Sequence, residues 1–181
     1  MKTESMVKFV LRLALTLLII TSVVAVALAG VNTITAPAIE ALNVQKTQDA
    51  IELVLPGGGE EVDFPAVDLV SKVYASETGY AVQVTPGGFD NTITMMVGVD
   101  KAGNVLGIDV ISHTETAGLG AVAAAGTPAG EAFRAEFVDA AGSVAVTKDG
   151  GEIDAITGAT ITSRAICTGV NAALECVAKM G

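Results

Sequence analysis

Residues 92–112 read TITMMVGVDKAGNVLGIDVIS and predict an antiparallel hairpin. In residues 92–99 apolar side chains recur at every second position, as in a strand that buries one face. Residues 100–104 include Gly103 and supply a hairpin loop, and residues 105–112 return as a second alternating strand. The face expected to be buried consists of Ile93, Met95, Val97, Val99, Leu106, Ile108 and Val110.

Further elements are predicted on both sides of this hairpin. Residues 67–77 and 80–85 are short β-like runs, and residues 143–147 form another. Residues 131–140 are helix-like, and residues 161–180 carry apolar side chains at helical spacing. This order of elements predicts an α+β domain built on an antiparallel sheet with flanking helices.

An uncharged run near the N-terminus predicts a membrane-spanning helix. From Leu13 to Ile39 there are 27 positions without a charged residue. As a helix this run would be about 40 Å long, against a hydrocarbon core of about 30 Å. Residues 13–31 are mostly Leu, Ile, Val and Ala, so we expect them to form one transmembrane helix.

The distribution of charge predicts the orientation of that helix. Lys2, Lys8 and Arg12 against Glu4 give +2 over the first twelve residues, so the rest of the chain carries −10 − 2 = −12. The positive-inside rule then places residues 1–12 in the cytoplasm and the acidic main domain outside it.

A cleaved secretory signal peptide is the alternative to this anchor. Ala27-Leu28-Ala29 has the small-x-small form of a cleavage site. The apolar run is longer than the typical 7–15 residues of a signal peptide, which favours a retained anchor. Both alternatives export the main domain.

The exported part divides into two regions at a helix-breaking segment. Residues 32–55 look helical, and residues 56–61, PGGGEE, interrupt the pattern. We therefore expect a juxtamembrane helix and linker over residues 32–61, and an extracytoplasmic domain over residues 62–181.

Composition excludes several classes of site. The net charge of −10 argues against nucleic-acid binding, because phosphate contacts need clustered Lys and Arg. Two cysteines and one histidine cannot build a four-ligand Cys/His zinc site or an all-Cys iron–sulfur site, and we expect no metal site. A GxGxxA match at residues 118–123 does not follow a strand and lies outside any βαβ pattern, so we discount a dinucleotide-binding fold.

The segment Asp154-Ala155-Ile156-Thr157-Gly158-Ala159-Thr160 lies directly before the C-terminal helix. It offers a hydroxyl at a helix N-terminus beside a glycine that permits close approach of a phosphate. Free N–H groups and the helix dipole would stabilise negative oxygens there. The alternative is a simple helix cap, for which Thr160, Thr162 and Ser163 are all suitable.

This segment resembles the flavinylation motif of the FMN-binding domain family, Asp-x-x-[Ser/Thr]-Gly-Ala-Thr. The family includes the G subunit of the Rnf complex and the C subunit of the sodium-translocating NADH:quinone oxidoreductase. In the family, the last Thr is esterified to the phosphate of FMN, which implies covalent FMN on Thr160. The resemblance also assigns Asp154 to recognition by the attaching enzyme, or to a turn. The small neighbours Gly158 and Ala159 complete the implied site together with Thr157 and Thr162.

A second segment, residues 112–120, is similar to the family signature Ser-His-x-Glu-Thr-Pro-Gly-Leu-Gly, with Ala117 in place of Pro. It opens a Gly- and Ala-rich loop at residues 114–130, with a short helix expected around residues 121–125. The resemblance implies that this segment lines the flavin, and a purely structural hydrogen-bonding role is the alternative for His113. The implied flavin-lining residues are His113, Glu115, Thr116, Gly118, Leu119 and Gly120.

The resemblance, closest to the Rnf G subunit, implies an electron-transfer subunit of an ion-translocating ferredoxin:NAD⁺ oxidoreductase, with no turnover of its own. Its implied partners are the membrane, the other membrane, iron–sulfur and flavin subunits, and a flavin transferase that uses FAD and Mg²⁺ during maturation. Three alternatives remain open at this point. They are the quinone oxidoreductase C subunit, a flavin-free exported structural or binding subunit, and a free-standing anchored flavoprotein reductase.

Overall fold

The structure, a computed structural model, describes residues 2–181. Over those residues the elements in chain order are α1 Lys2–Val54, β1 Glu60–Glu61, β2 Val70–Ala75, β3 Gly79–Val84, β4 Thr94–Asp100, β5 Val105–Ser112, a 3₁₀ helix Gly120–Ala124, α2 Pro128–Ala135, a second 3₁₀ helix Thr147–Asp149 and α3 Thr160–Met180. The chain divides into two compact units, Met1–Val44 and Gln45–Gly181. The α+β class with an antiparallel sheet and flanking helices is confirmed.

Helix α1 is one continuous helix of 53 residues with Pro37 inside it, so the helical stretches expected at residues 13–31 and 32–55 belong to one helix. Proline removes one intrahelical hydrogen bond, and such interruptions are tolerated in membrane helices. The helix is long and apolar enough to cross a membrane, with a mean hydropathy of 2.5 in its most apolar window. Several of its threonine hydroxyls donate to the carbonyl four residues earlier, which satisfies them internally: Thr16, Thr21, Thr33 and Thr35.

In the described residues the sheet is a simple antiparallel meander in the order β1-β2-β3-β4-β5. The predicted hairpin is confirmed as β4 and β5, with Val97 opposite Ile108. Its register shifts between Gly98 and Val99, so that Val99 pairs with Val105. This irregularity turns Val105 inward and leaves Leu106, which we expected to be buried, 38% exposed.

The two faces of the sheet bury different partners. On one face α3 supplies Ile166, Val170 and Val177 to the main core. On the other face Met96 packs with the last turns of α1, including Ile51 and Val54. Both α3 and the end of α1 thus pack on the sheet through apolar side chains, which is the main source of helix stability in folded proteins.

The structure differs from the sequence-based secondary structure in three places. Residues 143–147 form no strand in the described chain, because Val146 makes a single parallel bridge to Ile153 and the segment then turns into a 3₁₀ helix. Helix α2 begins at Pro128 instead of residue 131, since Thr127 caps it and proline suits the first helical position. The Glu60–Glu61 pair, expected in the linker, extends the sheet by pairing with β2.

Candidate functional site

A cavity of about 300 Å³ lies at the N-terminal end of α3. We call it the Thr160 cavity. Its walls combine apolar side chains with a few polar groups, which is the usual composition of a small-molecule site. It is lined by Phe89, Glu115, Thr116, Leu119, Gly120, Lys148, Gly158, Ala159, Thr160, Ile161 and Thr162. Two distant segments that the sequence singled out, residues 112–120 and 154–160, therefore meet in space.

Thr160 is the first residue of α3, and the preceding Ala159 makes no side-chain cap. The first intrahelical bond of the helix runs from the Ser163 N–H to the Ala159 carbonyl at 3.0 Å. The N–H groups of residues 160–162 therefore precede the hydrogen-bonded ladder, at the positive end of the helix dipole. The Ser163 hydroxyl does not cap these N–H groups, because it donates back to the Ala159 carbonyl at 3.0 Å.

Lys148 adds a positive charge next to the Thr160 hydroxyl. Its Nζ donates to Thr160 Oγ1 at 3.0 Å. The adjacent Asp149 accepts two hydrogen bonds from Arg164 of α3, at 2.6 and 2.7 Å. The hydrogen bonds from Arg164 lower the pKa of the Asp149 carboxyl, and the same contact raises the pKa of the guanidinium. This bidentate pair ties the short 3₁₀ helix that carries Lys148 to the first turns of α3.

Glu115 is the buried carboxylate of the cavity, with 8% of its surface exposed. One of its oxygens accepts a hydrogen bond from the Thr162 hydroxyl at 2.5 Å. The other accepts from the backbone N–H of Phe89 at 2.8 Å. A Cβ at Gly88 or Gly120 would collide with this carboxylate, so the two glycines form the space that it fills.

Gly158 has a φ of +79°, a left-handed conformation that glycine adopts without strain. A Cβ at this position would lie 2.9 Å from Leu119 Cδ2. The glycine of the TGAT segment therefore permits both the turn into α3 and the close approach of the residue 112–120 segment.

Four of the predicted site residues lie outside the lining of the Thr160 cavity. Asp154 and Thr157 are exposed, and the Asp154 N–H donates to Glu136 at 2.6 Å. Gly118 is also exposed, with a φ of +76° that serves the turn. His113 instead lines a separate polar cleft of about 460 Å³, together with residues that include Lys46, Asp49, Asp109 and Ser112.

The sequence missed three lining residues, Phe89, Lys148 and Ile161. Ile161 directly follows the TGAT motif, so its position was a usable signal. Phe89 and Lys148 come from segments that carry no family signature quoted above, and only the tertiary fold brings them to Thr160.

The donor set fits an FMN group at this cavity. Free N–H groups and an ammonium surround Thr160, as a phosphate requires, and apolar side chains beside them suit an aromatic ring system. The volume is at the lower end of the 300–1,000 Å³ that is usual for ligand sites.

The chain resembles known proteins over most of its length. The model of the FMN-binding domain family matches residues 88–175, which include the lining of the Thr160 cavity. The chain is 34% identical to the G subunit of the Na⁺-translocating ferredoxin:NAD⁺ oxidoreductase complex of Acetobacterium woodii, over 93% of this chain and 91% of that protein. It is 31% identical to the G subunit of the ion-translocating oxidoreductase complex of Methanosarcina acetivorans, over 94% and 95% of the two chains. The G subunit of the proton-translocating ferredoxin:NAD⁺ oxidoreductase complex of Clostridium ljungdahlii is 33% identical, over 82% and 80%.

Proposed function

This chain belongs to the family of G subunits of ion-translocating oxidoreductase complexes, and from that premise we propose that it carries FMN esterified to Thr160. It would serve as an electron-transfer subunit of a membrane-bound Rnf-type ferredoxin:NAD⁺ oxidoreductase. Its enzymatic role is that of one subunit of a translocase. FMN, when bound, supplies reversible one- and two-electron redox chemistry.

The observation that carries the proposal is the surroundings of the Thr160 hydroxyl. This hydroxyl lies at an uncapped helix N-terminus, lines the cavity and accepts a hydrogen bond from Lys148. The phosphodiester formed at Thr160 Oγ1 would place its two non-bridging oxygens, which share one negative charge, among the first-turn N–H groups and the ammonium. A flavin-free helix cap would not explain these features, because the residue at the N-cap position is Ala159, whose side chain cannot accept a hydrogen bond.

The other cavity residues divide between the two parts of the cofactor. Lys148 balances the charge of the phosphate, and Arg164 holds Lys148 in place through Asp149. The apolar side chains of Leu119 and Ile161 line the cavity, where they would contact the ring system and limit its access to water. Glu115, Thr116, Gly120 and Thr162 shape the wall, and Gly158 and Ala159 keep it open.

Attachment requires a separate flavin transferase, since a threonine hydroxyl is a poor nucleophile unaided. In the proposed reaction Thr160 Oγ1 forms a bond to the FMN phosphorus of FAD. The pyrophosphate bond breaks, AMP leaves, and the hydroxyl proton is released. The exposed Asp154 and Thr157 lie outside the cavity, where the transferase can contact them before attachment.

We further propose that α1 anchors the protein in the cell membrane with residues 1–12 in the cytoplasm. Residues 13–31 would span the bilayer, and residues 62–181 would form the extracytoplasmic FMN-binding domain. Residues 32–61 would connect the two as a juxtamembrane helix and linker. A phosphoester tether suits this location, because a freely dissociating flavin would be lost by dilution outside the cell. The partners are then the other membrane, iron–sulfur and flavin subunits of the complex.

The direct test is flavin fluorescence of the full chain on a denaturing gel after coexpression with a flavin transferase. The wild-type band should fluoresce, and Thr160→Ala should be dark. Thr160→Ser keeps a hydroxyl at the same place and should retain fluorescence. Thr168→Ala is the matched control, because Thr168 is an exposed threonine of the same helix outside the cavity lining. A dark wild-type band, with the transferase active on another acceptor, would leave a flavin-free structural or binding subunit.

A further inference from the structure

Phe89 is an aromatic side chain that the fold leaves exposed at the cavity. Its surface is 66% exposed, although it belongs to the lining of the Thr160 cavity. Leu119 and Ile161 of the same lining are 43% and 49% exposed. Large apolar side chains gathered around one opening indicate a surface that is covered when the site is filled.

The loop that carries Phe89 is tightly held. Gly87 forms a bridge with Thr92, and the Gly88 N–H donates to the Asn91 carbonyl at 2.7 Å. The Ile93 N–H donates to the Pro86 carbonyl at 2.8 Å. The backbone at Phe89 is therefore fixed even though its side chain is exposed.

One contact joins this loop to the rest of the site. The Phe89 N–H donates to Glu115 Oε1, and Glu115 Oε2 accepts from the Thr162 hydroxyl on α3. A single buried carboxylate thus links the Phe89 loop to the helix whose first residue is Thr160. Gly88 and Gly120 make this link possible, because side chains there would displace the carboxylate.

We propose that Phe89 packs against the isoalloxazine ring and that Glu115 is the positioning residue that fixes Phe89 relative to Thr160. This inference rests on the proposed attachment of FMN at Thr160. The phosphoester fixes only one end of the cofactor, and an aromatic wall held to the same helix fixes the other. Offset or edge-to-face contact between aromatic systems is favourable beyond the area that it buries.

The experiment uses the full-length flavinylated protein and measures iodide quenching of flavin fluorescence in the native state. Phe89→Ala should raise the quenching constant about two- to tenfold, because the ring leaves the wall more often. Phe89→Trp should darken the native flavin, since an indole in contact with it is an efficient electron-donating quencher. Leu106→Trp is the matched control, as Leu106 is also partly exposed but lies on β5 outside the cavity lining.

Glu115 is tested through its coupling to Phe89. Glu115→Gln replaces one acceptor oxygen by a donor, so it cannot keep both hydrogen bonds in their present form. It should raise iodide quenching in the same direction as Phe89→Ala. The iodide quenching constant of the double variant should be no higher than that of Phe89→Ala alone, because both changes act on one contact. A general loosening of the fold would instead add to the effect of Phe89→Ala.

The denatured-gel signal separates the two proposals. A fluorescent band with unchanged native quenching in Phe89→Ala and no darkening in Phe89→Trp overturns the Phe89 inference and leaves the attachment intact. A dark wild-type band overturns the attachment, and the Phe89 inference with it. Additive quenching in the double variant overturns the positioning role of Glu115.

Discussion

The two ends of the residue 112–120 segment face different cavities. Glu115, Leu119 and Gly120 line the Thr160 cavity, which is largely apolar and lies at the N-terminus of α3. Ser112 and His113 line the polar cleft with side chains of α1 and β5. We call the latter the His113 cleft.

The two cavities also differ in how their polar groups are satisfied. In the Thr160 cavity both Glu115 oxygens accept hydrogen bonds. In the His113 cleft the Nδ1 atom of His113 is buried without a hydrogen-bond partner among the described residues. Burial raises the pKa of Asp109, and this effect outweighs the positive charge of Arg134, which acts to lower it. A contiguous sequence motif therefore does not mark a single site, and only the part after residue 114 lines the Thr160 cavity.

The largest effect is expected for Gly98→Ala. This change would disturb the packing of α1 on the sheet, on the side of the His113 cleft, and leave the Thr160 cavity unchanged. A Cβ there would collide with the backbone carbonyl of Val54, where the end of α1 lies on the sheet. We expect a loss of about 1 to 3 kcal/mol in the free energy of unfolding, because neither backbone can yield easily. Thermal and denaturant unfolding of the purified chain measures it.

Gly107→Ala is the control for this change, since Gly107 pairs with Gly98 across the hairpin and has no atom within 4 Å of an added Cβ. It should leave stability nearly unchanged. Equal losses in both variants would show that α1 does not depend on close approach at Gly98.

An intermediate effect is expected for Lys148→Ala, which acts on the Thr160 side. Loss of the ammonium beside Thr160 Oγ1 should slow flavin attachment about two- to fivefold, the range of an exposed ion pair expressed as a rate. A time course of in-gel fluorescence with the transferase in fixed amount measures it. Lys148→Arg should restore most of the rate, and Lys101→Ala, in the β4–β5 turn, should leave it unchanged. Equal rates in Lys148→Ala and wild type would remove Lys148 from the phosphate site.

The smallest effect is expected for Asp109→Asn and depends on pH. Because the folded-state pKa of Asp109 is raised, charging this group costs more in the folded than in the unfolded protein. The wild type should therefore lose stability relative to the variant as pH rises above the ordinary Asp value of 3.8, and the two should converge below it.

Asp100→Asn provides a comparison of opposite sign, measured in the same melting series across pH. Hydrogen bonding, chiefly from the Asn104 side chain, lowers the pKa of Asp100. Its stabilisation is present above the ordinary Asp value and is lost as pH falls through the folded pKa, so this variant should be the less stable one near neutral pH. Matching pH profiles in the two variants would contradict the assigned environments.

The parts of the fold that could be predicted are those where periodicity and packing agree. The hairpin of β4 and β5 and the helix α3 follow directly from alternation and from the helical spacing of Ile166, Val170 and Val177. The strand expected at residues 143–147 does not form, because the Val144 backbone N–H and carbonyl bond to the side chain of Asn171 on α3 and Val146 makes a single bridge to Ile153. The exposure of Leu106 depends on a register shift that no local pattern reveals.

The candidate site was predictable where one short segment carries the chemistry. The TGAT segment places Thr160 at a helix N-terminus, and that expectation agrees with the structure. Phe89 lies on a loop and Lys148 on a 3₁₀ helix far from it in sequence, and they reach the cavity through contacts with Glu115 and Thr160. Such contacts depend on the packed sheet and helix, so spacing along the chain could not indicate them.

The most direct test of covalent FMN at Thr160 is mass spectrometry of the tryptic peptide that spans residues 149–164, DGGEIDAITGATITSR. This peptide holds four hydroxyl residues, Thr157, Thr160, Thr162 and Ser163. We expect the mass of one FMN less one water on fragments that contain Thr160, with fragments 149–159 and 161–164 unmodified. An unmodified peptide from protein exposed to an active transferase, or FMN on any of the other three hydroxyls, would contradict the account.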